Sequence, residues 1–145
     1  MSAPGTRIVL ALIAALSLAG VIVSAVSFQR HYAKSSTGFC DLGQSFNCDI
    51  VNRSEYSEVA GIPVAAIGVA GYATLFLLST LWRSRPETPT RLVLLSAAGL
   101  VFALYLTYVE AYDLKTWCIL CLSSLFFIFV TTLLSIFVKI RTARM

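Results

Sequence analysis

Charge is distributed unevenly along this chain, and the gaps between charges set the architecture. No charged residue lies between Arg7 and Arg30, between Glu58 and Arg83, between Arg91 and Glu110, or between Lys115 and Lys139; the gaps hold 22, 24, 18 and 23 residues. A hydrocarbon core of roughly 30 Å takes about 20 residues of helix at 1.5 Å each. The gaps therefore predict four spanning helices, near 8–28, 60–82, 92–111 and 117–138. The stretches are too continuously apolar for the alternating segments of about ten residues that build a transmembrane barrel. The first reads as a retained span, because its apolar run of about 20 residues exceeds the roughly 7–15 of a cleaved leader's core. The linker 83–90, Arg-Ser-Arg-Pro-Glu-Thr-Pro-Thr, reads as a plain turn whose prolines stop helices.

Composition narrows the solvent. Apolar residues make up 58% of the 145 and charged residues 12%, against about 25% charged in an ordinary soluble domain. A water-soluble monomer of this size has too little interior to hide that much apolar surface. A disordered chain, a nucleic-acid-binding surface and a polar soluble enzyme are excluded, and the length suits one domain over 1–145.

The net charge of +4 matters less than where the charges sit. One side of the bilayer carries Arg7, Arg83, Arg85, Arg91, Lys139, Arg141 and Arg144 against Glu87 alone. The other carries Arg30, Lys34, Arg53 and Lys115 against Asp41, Asp49, Glu55, Glu58, Glu110 and Asp113. Basic loops stay in the cytoplasm, so both termini are expected there, with the long loop 29–59 and the short loop 112–116 outside. Trp82 suits the inner interface; Trp117, Tyr108 and Tyr112 suit the outer one.

All four cysteines, Cys40, Cys48, Cys118 and Cys121, fall on the outer side or at its membrane edge. That side is the oxidising one, where disulfides persist. Cys118-Ile119-Leu120-Cys121 is a C-x-x-C at the expected start of the fourth helix. Unpaired N–H groups and the positive end of the helix dipole there favour a thiolate. The position suits thiol–disulfide exchange, with Cys121 one turn deeper and within reach of an apolar electron acceptor. Two structural disulfides would account for the same count, and C-x-x-C is also a zinc spacing, although the seven residues between Cys40 and Cys48 are wide for a zinc half-site. On the relay reading, a partner's thiols are oxidised at the loop pair, and electrons pass to the C-x-x-C pair and out to a lipid-soluble acceptor.

The string Cys40-Asp41-Leu42, Cys48, Ser54, Gly61-Ile62-Pro63 and Trp117-Cys118-Ile119-Leu120-Cys121 resembles the vitamin K epoxide reductase family over about residues 8–138. The resemblance implies an all-α, four-transmembrane-helix bundle with an extracytoplasmic loop lidding a quinone pocket, of the stand-alone bacterial type. It implies that Cys118 and Cys121 are the active-site pair, with Cys121 reacting with the quinone and Cys118 resolving it. Cys40 and Cys48 match the shuttle pair that takes electrons from a thioredoxin-like partner, here a separate protein. Ser54 matches a hydroxyl residue near the reactive cysteine; as a bare sequence feature it reads equally well as a helix cap. The implied function is quinone-dependent oxidation of that partner, supporting disulfide formation in exported proteins. The acceptor would be a menaquinone, ubiquinone or phylloquinone-type molecule, and the location a bacterial plasma membrane.

Two positions depart from the family. Where its vertebrate enzymes carry an asparagine and a tyrosine that hydrogen-bond the quinone, ungapped matching places Val64 and Leu125, neither of which donates. The loss argues against quinone-epoxide reduction and leaves plain quinone reduction in place. Tyr72, Tyr105 and Tyr108 are candidate substitute donors. Gly61, Gly68 and Gly71 with Ala65 and Ala66 form a small-residue face suited to close helix packing or to the wall of a flat-ring site; Ser96-Ala97-Ala98-Gly99 reads the same way. The rival from another class is a non-enzymatic four-span protein held by structural disulfides.

Overall fold

The computed structural model describes residues 4–32, 55 and 58–144. Cys40, Cys48, Ser54 and most of the expected lid loop lie outside the described residues. Four helices carry the described fold: α1 (Pro4–Tyr32), α2 (Val64–Thr80), α3 (Thr88–Val109) and α4 (Ile119–Ala143). A two-residue hairpin, β1 (Glu58–Val59) with β2 (Ile62–Pro63), precedes α2, and a π-helical turn, Glu110–Leu114, extends α3.

Among the described residues, three helical segments are long and apolar enough to cross a membrane: Pro4–Gln29, Thr88–Leu114 and Ile119–Ala143. The second helix is apolar but has only 17 residues, about 25 Å at 1.5 Å per residue. It is shorter than the stretch 60–82 read from the charge gap, for local reasons at both ends. Ala60 and Gly61 have φ of 53° and 83°, the left-handed pair that a two-residue hairpin loop requires. Val59 then pairs with Ile62, and Pro63, extended at φ −59° and ψ 135°, holds the chain off the helical path until Val64. At the far end the helix runs into turns at Leu81–Arg83, where Thr88 donates its hydroxyl to the Trp82 carbonyl.

Each helix packs on its sequence neighbour and α4 packs back on α1, with α2 and α3 touching more sparsely than the other pairs. The register of α1 on α2 is antiparallel, since Gly20 faces Tyr72 and Gly68 faces Ser24. A β-carbon at Gly20 would stand 2.3 Å from the Tyr72 ring, so the ring occupies the space glycine leaves.

The exterior is apolar and the interior partly polar, the reverse of a water-soluble bundle. Ile8, Leu94, Val101, Leu104 and Phe126 are exposed, while Ser17, Ser96, Thr131 and Ser135 are buried. Small side chains let helices approach closely where lipid supplies no hydrophobic drive for association. Several of the hydroxyls bond within their own helix: Ser96 to the Leu92 carbonyl at 2.6 Å, Thr107 to Ala103 at 2.8 Å, Thr132 to Ile128 at 2.7 Å and Ser135 to Thr131 at 2.7 Å. The fully buried apolar centre comprises Leu10, Ile13, Leu75, Leu92 and Val138.

Gly20→Val is expected to expel the Tyr72 ring and lower stability by about 1–3 kcal/mol, the usual cost of overpacking. Thermal unfolding in detergent measures it, and an unchanged midpoint would contradict the α1–α2 contact described.

Candidate active site

A cavity of about 330 Å³ opens between the four helices at the end of the bundle where α1 and α3 finish and α2 and α4 begin. Sparse packing between α2 and α3 leaves the space. Small residues make much of the wall: Ala65, Gly68 and Gly71 from α2, Ala98 and Gly99 from α3. Polar groups are few and come from every helix: Ser24 and Ser27, Tyr72, Glu110, and Cys121 with Ser124.

The C-x-x-C sits at the start of α4. Cys118 is its N-cap, extended at φ −116° and ψ 120°, and 0% exposed. Cys121 lies one turn on and lines the cavity. Cys121 packs against Cys118. The backbone places them on adjacent faces of one turn, with the deeper cysteine toward the open space and the shallower one behind it.

Glu110 organises this corner. Its backbone carbonyl accepts N–H bonds from Lys115 and from Thr116 at 3.1 Å, closing the π turn. Lys115 adopts the left-handed conformation, φ 52° and ψ 30°, that reverses the chain toward α4. The carboxylate then accepts the Cys118 N–H at Oε2, 3.2 Å. It thereby satisfies a backbone donor at the helix start where no side chain of α4 does. Glu110 is 1% exposed, and Oε1 completes no hydrogen bond among the described residues, although the carboxyl approaches the Cys121 thiol.

Tyr72 forms the second polar feature. Its hydroxyl donates to the Ser124 carbonyl at 2.8 Å and shares a 2.9 Å hydrogen bond with the Ser124 hydroxyl. The pair ties α2 to α4 at the cavity wall.

A family model described as the vitamin K epoxide reductase family matches residues 11–136. The chain belongs to that family. Membership makes it a membrane oxidoreductase of the quinone-linked redox type. Of the residues read from the sequence, the structure brings Cys118, Cys121, Val64 and Gly68 to this one end, the last three as cavity lining. Leu125 is not among the lining residues; Ser124, one position earlier, is. Cys40, Cys48 and Ser54 are not described.

Sequence reasoning assigned Glu110 to the outer charge cluster and did not single out Ser24, Ser27 or Ser124. A signal for Glu110 was present: the third charge gap is the shortest, at 18 residues. The span read as 92–111 already reaches past Glu110, which puts that side chain at the outer end of the helix rather than in the loop.

Replacing Glu110 by Leu is expected to leave the Cys118 N–H buried and unpaired, at a cost of about 1–3 kcal/mol, while Glu110→Gln, which keeps an acceptor oxygen, retains most of the stability. Thermal unfolding of the two variants with the cysteines held reduced compares them directly; equal midpoints would deny the cap.

Proposed function

We propose that the protein is a quinone-dependent thiol–disulfide oxidoreductase that oxidises a separate thioredoxin-like protein and so supports disulfide formation in exported proteins. The observation that carries the reading is Cys121 facing an apolar, small-residue cavity from the start of α4. Ligand sites of this kind are mostly apolar with a few placed polar groups. The lining residues fit a quinone: Gly68, Gly71 and Ala98 leave flat space, and the Tyr72 and Ser124 hydroxyls, bonded to each other at the wall, offer a donor to a carbonyl oxygen once one of them turns toward it.

On this reading the short α2 is a fourth span beside the three long ones. Both termini lie in the cytoplasm of a bacterial plasma membrane, and the segment joining α1 to α2 belongs to the outer side. Electrons enter at Cys40 and Cys48. Cys48 exchanges with Cys118, which leaves Cys118 and Cys121 as the dithiol. A bound quinone, of the menaquinone, ubiquinone or phylloquinone type, supplies a sink for two electrons and two protons. Cys121, the cavity-facing sulfur, gives up the electron pair. Cys118, held behind it by the Glu110 cap, closes the disulfide. Ser54 belongs to the same site through the family pattern. Val64 is an apolar wall residue, and Tyr72, turning its hydroxyl from Ser124 to the quinone, supplies the hydrogen bond that Val64 and Leu125 do not.

Purified protein with a reduced thioredoxin-like donor is expected to reduce quinone. Cys121→Ala is expected to abolish turnover with any donor, and Cys40→Ala to abolish it with the protein donor while a small dithiol restores it. Wild type that reduces none of the three quinone types would overturn the reading. Tyr72→Phe is expected to raise the quinone KM about 3–10-fold, the worth of one net hydrogen bond, with kcat little changed; steady-state kinetics measure both.

A further inference from the structure

The membrane-depth carboxyl at Glu110 exceeds what capping α4 demands. A serine or asparagine side chain also caps a helix, without burying a charge-bearing group. Ionisable residues inside a bundle are costly to hold and mark functional paths. Here one carboxyl oxygen is committed to the Cys118 N–H at 3.2 Å. The other is buried, lacks a hydrogen-bond partner among the described residues, and belongs to a side chain that lines the cavity and approaches the Cys121 thiol.

We propose that Glu110 is the proton carrier of the reaction, receiving the thiol protons of Cys121 and Cys118 through Oε1 and delivering them to the acceptor's oxygens. The inference rests on the quinone reading above. Conversion of the dithiol to a disulfide breaks two S–H bonds, forms one S–S bond and releases two electrons and two protons. The quinone takes both electrons and both protons and becomes a hydroquinone. Glu110 carries one proton at a time, so its carboxylate is regenerated after each transfer and ends the cycle unchanged. Water has poor access to a carboxyl that is 1% exposed, so a fixed base beside the sulfur replaces solvent in this role.

The other titratable groups facing this corner are few. Cys118 and Cys121 come from the start of α4 and Tyr72 from α2, while the described lining of α1 is Val23, Ser24 and Ser27, none of which titrates near neutrality. Tyr72 is engaged with Ser124. Apart from the two reacting thiols, the carboxyl is therefore the group of this set with an oxygen left to accept a proton.

The test is the pH profile of quinone reduction by wild type, Glu110→Gln and Glu110→Asp, with a small dithiol as donor. Gln keeps the acceptor for the Cys118 N–H and removes the proton site; thermal unfolding checks that it folds. The expected result is a kcat loss of about 10²-fold for Glu110→Gln at neutral pH. That loss shrinks as pH rises and hydroxide takes over deprotonation, KM holds, and Asp restores part of the rate. A purely structural role gives a loss independent of pH that Asp does not rescue, and that result overturns the proposal, as does a Glu110→Gln rate within threefold of wild type across the range. Absence of wild-type turnover overturns the quinone reading itself, which separates the two failures.

Discussion

The structure depends on how a chain reverses direction at the edge of a hydrocarbon layer. Between α3 and α4 the backbone must leave one helix and start another where unpaired N–H and C=O groups are expensive. Glu110 meets that constraint from both of its ends. Its carbonyl gathers the N–H groups of Lys115 and Thr116, and its carboxylate takes the N–H of Cys118. The left-handed Lys115 supplies the sharp reversal. With the turn locked, the first residue of the C-x-x-C has a fixed backbone, and Cys121 has a fixed direction one turn later. Placement of the Cys121 sulfur at the cavity follows from backbone hydrogen bonding at the turn.

The cavity follows from a second constraint, the choice of small residues where helices meet. Glycine brings α1 onto α2, Gly20 beneath the Tyr72 ring and Gly68 against Ser24. Small residues on the facing sides of α2 and α3 leave those helices apart near the C-x-x-C. A short α2, delayed by the Ala60–Gly61 turn and Pro63, brings its N-terminus to the level of Cys121 rather than beyond it.

Much of this was legible in the charge gaps. Four apolar stretches located four helices, because lipid forces long uncharged runs, and C-x-x-C at the head of the last one lies at the end where the cavity opens. Local backbone chemistry was harder to read. Ala60 adopts a positive φ without being glycine, so the start of α2 was placed too early. Glu110 was grouped with solvent-facing acids because a sequence records that a charge lies near a boundary and does not record which way its side chain turns. Leu125 and Ser124 are one residue apart, which is about 100° around a helix, enough to exchange a wall residue for one outside the lining. Counting without a gap does not resolve that rotation.

Tyr72 fills the space over Gly20 on α1, projects from α2 and bonds Ser124 on α4, and its ring also borders the cavity. One side chain thus serves as the bundle's keystone and as the wall of the reaction space. Rigidity and occupancy become thermodynamically linked through it: a molecule that presses on this wall also braces three helices against one another, so the resting and loaded forms differ in stiffness as well as in contents.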